Sequence, residues 1–412
     1  MLRSRTLRPQ TLSKITQLSR TMASAAVVPP DVQPLSEAHQ AAVLATVPAL
    51  AEHGLTITKQ MYKNTGVQPA ALAGSVLAYA QNIKDLSPLT PVVVRIAEKH
   101  AALGVKPEHY PVVAENLMGA IGHVLGDAFT PDLQEAWYHA YWQLAKIFID
   151  VEAGLYEKAA WQGWKDFEVR AVHNESPTIT SFELVPKDKS MLPLKPYLPG
   201  QFITLRVNVP ELGCYQNRHY SLSDSPSGDH YRVTIKRETG ADAAPDGLVS
   251  NIMHGLKAGD TVEAAFPAGS FVLPETVPKN VVLIAGGVGI TPNLAMLNQL
   301  TAGPAENWPQ ITWVHGVRSA PEHVFRNHVA KLAEQSGGKL TQQAFYSNGD
   351  DGANTGRITV DKIKDSLPLA DKDAVYYVCG PGSFMTDIER DLIAAGVPKE
   401  KINIEAFHAG AA

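Results

Sequence analysis

The sequence predicts a three-part protein: an all-α domain, then an antiparallel β-barrel, then an α/β domain on a parallel sheet. Three observations predict it. Apolar residues recur at three- and four-residue spacings through 35–160, the period of amphipathic helices. After Trp161-Gln162-Gly163-Trp164, residues 163–275 hold short β-rich runs separated by turn clusters of Pro, Gly, Asn, Asp and Ser, as antiparallel sheets do. From Lys279 to residue 408, continuous apolar runs alternate with helical stretches, the texture of a parallel sheet covered by helices. A chain of 412 residues that is 45% hydrophobic has material enough for separate cores.

Composition narrows the function classes. A net charge of -5 argues against a general nucleic-acid binder. Two cysteines, Cys214 and Cys379, cannot build a disulfide framework or a cysteine-rich metal site. Charges interrupt every apolar run short of membrane-spanning length, so the expectation is a soluble, intracellular chain with no membrane span. Residues 1–30 differ from the rest: Arg3, Arg5, Arg8, Lys14 and Arg20 stand among Ser, Thr and scattered Leu and Ile, and the first acid is Asp31. That is the composition of a mitochondrial transit peptide, which a disordered basic tail would share. Met22 offers a second start, so the expected location is the mitochondrial matrix, the cytosol or both.

In the helical part, Thr130-Pro131-Asp132 supplies a cap and a first-turn proline. The helix it opens runs through Glu135, Trp142 and Phe148 to about Tyr156. Pro107 opens another, which contains Tyr110, Asn116 and Ile121. His100 lies one turn beyond Ile96 and two beyond Val93, on an apolar face. A lone histidine there reads first as a packed core residue. Glu152 lines up with Phe148, Ala145 and Tyr141, and a carboxylate in an apolar stripe needs a partner or a proton. Tyr110 is the natural partner to consider.

In the β-rich part, strands are expected at Asp166–Val172, Thr178–Val185, Gln201–Val209, His219–Leu222 and Tyr231–Lys236. Arg218-His219-Tyr220-Ser221 marks a strand where arginine could clamp a phosphate, tyrosine could lie on an aromatic ring system and serine could bond to its edge. Gly247-Leu248-Val249-Ser250-Asn251 starts a short helix. Farther on, Val281–Ile284 is a buried strand, followed by Ala285-Gly286-Gly287-Val288-Gly289-Ile290-Thr291-Pro292. Glycines between a strand and a helix let the backbone approach a pyrophosphate. Further strands are expected at Ile311–Val314, Leu340–Phe345 and Val375–Val378. The last runs into Cys379-Gly380-Pro381-Gly382, another carboxyl strand end where open sheets bind ligands. Each motif alone has a bland alternative: a surface arginine, a barrel tyrosine, a helix cap or a tight turn.

Taken in order, residues 163–408 resemble the ferredoxin–NADP reductase family. The resemblance implies an FAD-binding barrel (163–275) and a nicotinamide-nucleotide domain (279–408). It assigns FAD to Phe202, Arg218, His219, Tyr220, Ser221, Gly247, Val249 and Ser250. The nucleotide falls to Gly287, Val288, Gly289, Ile290, Thr291, Pro292, Cys379, Gly380 and Pro381. Glu405-Ala406-Phe407-His408 resembles the family's terminal segment, and Phe407 is then the candidate ring over the flavin. Arg318 and Ser319 follow the second α/β strand, where a basic residue could meet a 2′-phosphate. NADH and NADPH both stay open.

The helical part in front of such a reductase resembles the flavohaemoglobins, through Ala78-Tyr79-Ala80-x-Asn82-Ile83, Lys99-His100, Lys106-Pro107-Glu108-His109-Tyr110 and Phe148-Ile149-Asp150-Val151-Glu152-Ala153. The resemblance makes 35–160 a globin domain holding haem b, with His100 the proximal iron ligand and Tyr110 and Glu152 hydrogen-bonded behind it. Such partners strengthen a histidine's donation to iron. Tyr62 corresponds to a distal tyrosine, and Gln68 and Leu72 to distal-helix positions. Only Lys63 to Val67 separate Tyr62 from Gln68. Family members have a short helix and a corner with a phenylalanine there; a Thr-Gly turn can join the flanking helices directly, but one pocket wall is then missing. The implied function is nitric oxide dioxygenase: NAD(P)H reduces FAD, FAD reduces haem, and nitric oxide and oxygen become nitrate, in a monomer. Two further functions stay open: a flavin, quinone or iron reductase with a haem-deficient globin, which the missing segment favours, and a haem-based gas or redox sensor, which the Tyr110 and Glu152 pair disfavours.

Overall fold

A computed structural model describes residues 34–61, 69–240, 246–349 and 354–407. The basic N-terminal segment, Tyr62 and Gln68 lie outside the described residues. Six α-helices precede the sheets among those described: α1 (Glu37–Ala45), α2 (Val47–Met61), α3 (Pro69–Gln81), α4 (Thr90–Leu103), α5 (Tyr110–Leu125) and α6 (Pro131–Lys158). Their starts follow local chemistry. Ser36 Oγ accepts from His39 N–H ahead of α1, and Thr130 Oγ1 accepts from Leu133 N–H ahead of α6, each satisfying a donor the first helical turn leaves orphaned.

The chain forms two compact units, and the first comprises Met1–Gly66, Val76–Asp85 and Lys106–Ile149. Its core is Leu50 and Ile57 of α2, Leu117 and Ile121 of α5, and Trp137 of α6, all buried. Two tyrosines cross-brace it: Tyr79 Oη donates to Ala140 O at 2.7 Å, and Tyr141 Oη to Tyr110 O at 2.7 Å. Burial pushes both phenols well above their usual range.

The second unit comprises Val67–Ser75, Leu86–Val105 and Asp150–Ala412. Its antiparallel sheet has six strands: β1 (Lys165–Asn174), β2 (Ile179–Pro186), β3 (Phe202–Val209), β4 (Cys214–Ser221), β5 (Tyr231–Lys236) and β6 (Thr261–Ala264). They are ordered β4-β3-β6-β1-β2-β5, and a bridge from Leu222 to Val233 draws the two edges together. Phe167, Phe182, Ile203, Leu205 and Tyr231 fill the interior, which is sealed by Val249 and Met253 of α7 (Leu248–His254).

The parallel sheet has β7 (Asn280–Gly286), β8 (Gln310–Val317), β9 (Leu340–Tyr346), β10 (Val375–Cys379) and β11 (Ile402–Glu405). The order is β11-β10-β7-β8-β9. The chain moves outward from β7 to β8 and β9, then crosses back to β10 and β11. Strand order therefore reverses between β7 and β10, the place where open parallel sheets bind ligands. The described helices of this layer are α8 (Ile290–Leu300), α9 (Arg326–Gln335), α10 (Val360–Ile363) and α11 (Gly382–Ala394). Separate apolar clusters lie on the two faces, one including Ile311 and Trp313, the other Val282, Ile284 and Val314.

Three strands depart from the sequence expectation. β4 begins at Cys214 and not near His219, because its polar first half is held by register with Arg206 to Val209 of β3. β6 is only four residues long, yet it pairs with β1 on one side and β3 on the other. β11 is equally short and is held by parallel pairing to β10.

Candidate active site

α4 carries the first candidate. Pro91 in its opening turn and Gly104 at its end (φ 75°, left-handed) fix its length. His100 Nδ1 lies 2.8 Å from Glu152 Oε1, and the Glu152 side chain is only 2% exposed. A histidine that donates through Nδ1 carries its lone pair on Nε2, the nitrogen suited to an iron. The buried carboxylate behind it is the orienting partner a metal-ligating histidine usually has. These residues therefore fit a haem's axial position. Tyr156 Oη donates to Val105 O at 2.6 Å and steadies the chain just past α4. The structure thus brings two sequence-predicted residues together. Tyr110 is buried in the first unit, and Leu72 is half-buried on α3.

α4 also packs on the antiparallel sheet. Ala101 and Ala102 are buried with Phe202, Phe266 and Ala268. Glu98 accepts a hydrogen bond from Gly269 N–H at 2.8 Å. Gly269 has a φ of 120°, and a Cβ there would sit 3.1 Å from the Phe202 ring, so only glycine suits it. Burial raises the Glu98 pKa, while the Gly269 bond opposes that rise. Neither Glu98 nor its partner was identified from the sequence.

Phe202 pairs with Ser221, Ile203 with Tyr220 and Thr204 with His219 across β3 and β4. Alternation along a strand then puts His219 and Ser221 on one face and Arg218 and Tyr220 on the other. The His219 and Phe202 rings are 4.6 Å apart, and His219 Nδ1 bonds Thr204 Oγ1 at 2.7 Å. His219 is exposed, yet packing around its ring, with Lys99 and Arg218 nearby, lowers its pKa to about 4. Tyr220 packs on the interior cluster, and burial pushes its phenol up to about 12 against the pull of Arg218. Arg218 is exposed, with one guanidinium N–H on Asn217 O. It is placed to meet an anion at the strand edge.

The short α7 segment needs a finer assignment. Val249 is 2% exposed and faces the interior, so only its main chain can meet a ligand. Ser250 Oγ donates to Gly247 O and accepts from Glu238 N–H. It braces the turn.

At the reversal point, the glycine turn and the Cys379 segment come into main-chain contact. A Cβ on Gly289 would lie 2.4 Å from Cys379 O, and one on Gly286 would lie 3.0 Å from Pro381 Cδ. Gly287 has a φ of 56° and opens a 3₁₀ turn that leads into α8. Ile290, Thr291 and Pro292 are buried, so the face this crevice can offer a ligand is mostly backbone. That backbone cradle, which side chains would fill, fits a dinucleotide's pyrophosphate. Cys379 is fully buried. Burial and the neighbouring Glu405 push its thiol well above the usual range, which makes it a poor nucleophile. Glu405 has its own pKa raised by burial, with Lys99 and Arg95 opposing. Phe407 is 41% exposed. Arg318 is exposed just past β8.

The comparisons with known proteins agree with this geometry. Family models match in chain order: globin over residues 35–148, oxidoreductase FAD-binding domain over 167–273 and oxidoreductase NAD-binding domain over 283–390. The chain is 40% identical over 408 residues to a flavohemoprotein of Bordetella parapertussis, covering 91% of this chain and 99% of the relative. It is 40% identical over 404 residues to one of Deinococcus radiodurans, covering 90% and 97%. Among solved structures, the flavohemoglobin of Malassezia yamatoensis, determined with bound FAD and heme, matches with a TM-score of 0.82 at 28% identity over 91% of this chain and all of that one. The FAD/NAD-binding domain of a Vibrio cholerae nitric oxide dioxygenase matches with a TM-score of 0.54 at 36% identity, covering 59% and 98%. With a histidine–carboxylate pair, a flavin-type barrel edge and a dinucleotide crevice in one chain, and relatives of this length and order, the protein belongs to the flavohaemoprotein family.

Proposed function

We propose that this chain is a nitric oxide dioxygenase that uses NAD(P)H, FAD and haem b. The observation that carries the proposal is the buried Glu152 carboxylate on Nδ1 of His100, a residue of α4, the helix that packs against the start of β3. It supports an iron ligand made strongly donating at the place where electrons would arrive from a flavin. Bound FAD would take one hydride and let its two electrons leave singly, and haem iron would supply oxygen chemistry; neither is chemistry that amino-acid side chains perform.

The protein's own part is positional. The Gly287–Gly289 backbone and the start of α8 bind the dinucleotide, and the Cys379–Pro381 segment closes the crevice. Arg218 would offset flavin phosphate charge, Tyr220 would meet the ring system, Ser221 would bond to the flavin's edge, and Phe407 would lie against the ring. Glu152 orients the His100 ring and fixes its tautomer. Arg318 is the proposed contact for a 2′-phosphate. Oxygen and nitric oxide are the proposed small-molecule substrates, consumed by a monomer.

The test is His100→Ala. Nitric oxide consumption should vanish, while ferricyanide reduction by NADH persists. Undiminished nitric oxide turnover in that variant would refute the haem mechanism. The five residues between Tyr62 and Gln68 favour one second reading, a reductase whose globin lacks haem. A spectrum of the purified protein with flavin absorbance and no Soret band would support it. The basic composition of residues 1–30 supports a mitochondrial form and Met22 a cytosolic one, which fractionation tests.

A further inference from the structure

β8 ends near a histidine that this chemistry does not use. His315 is fully buried, on the sheet face shared with Ile311 and Trp313. Its Nε2 lies 3.0 Å from Gly287 O. A carbonyl only accepts, so Nε2 carries the proton and Nδ1 does not. Burial, with His323 beside it, holds the His315 pKa down to about 3 against the opposing bond to Gly287. One neutral tautomer is therefore fixed.

Gly287 O also accepts from Ile290 N–H, the bond that opens α8. Both lone pairs of this oxygen are thus engaged from the protein interior. In a trans peptide the C=O and N–H point in opposite directions. Holding Gly287 O inward aims Val288 N–H outward, at the crevice between β7 and β10. The turn needs such a hold. A glycine at φ 56° reaches mirror-image conformations almost equally well. If the Gly287–Val288 peptide flipped, it would present an oxygen to an anion in place of a donor.

Two more side chains back the ring. His323 stands edge-on to His315, with centroids 5.3 Å apart. Its Nδ1 lies 2.8 Å from the hydroxyl of Tyr346, the last residue of β9. Burial and Arg326 keep His323 neutral as well, with a pKa of about 4. The carboxyl ends of three neighbouring strands are thereby tied together beneath the turn.

We infer that His315 is a positioning residue of the dinucleotide site, one that holds the Gly287–Val288 peptide in the orientation that accepts a pyrophosphate, with His323 and Tyr346 keeping its ring in place. The inference rests on the reading of this crevice as the NAD(P)H site. His315 does not touch the nucleotide, so it acts on binding and leaves hydride transfer alone.

The experiment is steady-state ferricyanide reduction by NADH in the holoenzyme, with ADP-ribose titrated as a competitor. His315→Ala should raise the KM for NADH and the inhibition constant of ADP-ribose about tenfold, the loss expected for one directing hydrogen bond. Its kcat and FAD spectrum should match wild type. His315→Gln, which can offer an N–H to the same carbonyl, should recover most of the loss. If the alanine variant does not fold, Tyr346→Phe removes only a hydroxyl and should raise the KM about threefold. Unchanged KM in the alanine variant, or in Tyr346→Phe where that is the variant measured, would overturn the inference. So would equal KM increases in the alanine and glutamine variants accompanied by falling kcat, since the ring would then only fill space. Failure of the wild-type flavin to be reduced by either NADH or NADPH would instead refute the nucleotide reading itself.

Discussion

Consider one added methyl group, Gly289→Ala. A Cβ there would meet Cys379 O at 2.4 Å, Cys379 C at 2.6 Å and Gly380 N at 2.7 Å. All three are backbone atoms, and ordinary contact begins near 3.4 Å, so turn and segment must part by about 1 Å. Neither side yields cheaply, because β7 and β10 are paired in register up to Ala285 and Cys379. Overpacking of this kind costs about 1–3 kcal/mol, which a sheet buried on both faces can absorb without unfolding. Function is far less tolerant, since a displacement of about 1 Å at a reacting pair can cost about 100-fold in rate. The assay is anaerobic stopped-flow reduction of the flavin by NADH. Flavin content should be unchanged, and the apparent second-order rate should fall about 100-fold. Gly303→Ala is the control, because a Cβ at that position meets nothing within 4 Å. If Gly289→Ala reduced its flavin within twofold of the Gly303→Ala rate, the assignment of this crevice to the dinucleotide would be wrong.

Other predictions address the rest of the electron path and the stability of the fold. Glu152→Leu removes the carboxylate that receives His100 Nδ1; nitric oxide consumption should drop about 10- to 100-fold while ferricyanide reduction holds, with Glu152→Gln intermediate. Equal activities in all three proteins would remove Glu152 from the mechanism. Glu98→Ala deprives Gly269 N–H of its acceptor and should slow flavin-to-haem transfer at least threefold by stopped flow. Hydride entry should be untouched and Glu98→Gln should restore the rate, so an unchanged alanine variant would count against a docking role. The buried His315 also sets a pH dependence. Its folded pKa is depressed to about 3 from an ordinary 6.5, so below pH 6.5 the unfolded chain binds the extra proton. The stabilisation is complete above that pH and is lost as pH falls towards the folded value, by about 2 kcal/mol between pH 6.5 and 5. Melting temperature measured across that interval should therefore fall less steeply in His315→Gln than in wild type.

Much of the architecture was legible because burial imposes a period. β5 has the bounds expected from Tyr231–Lys236, since its inward residues contrast with turns on both sides. The pairing of His100 with Glu152 came from the resemblance to the flavohaemoglobins: by pattern each was only a polar residue on an apolar helical stripe, and Tyr110 was the partner the residues themselves offered. β6 and β11 were not legible, because four residues carry too little pattern and pairing with neighbouring strands decides them. Glu98 and His315 escaped for another reason. Glu98 resembles any solvated helix acid, and its partner is a backbone N–H 171 residues away. His315 sits inside an apolar strand and bonds to a carbonyl. Side chains whose partners are main-chain atoms leave no complementary residue to find in a sequence.

The packing of α4 bears on how this protein can be taken apart. That helix clusters with the reductase strands and not with α1, α2 and α5, and Ala101 and Ala102 are closed over by Phe202 and Phe266. A fragment ending at residue 150 would keep His100, lose Glu152 and open the alanine face to water. A chimera carrying a foreign reductase would keep Glu152 but lack Gly269 as the seat for Glu98. The border between oxygen chemistry and electron supply does not follow the order of the chain, so the two halves are poor candidates for interchange as cassettes.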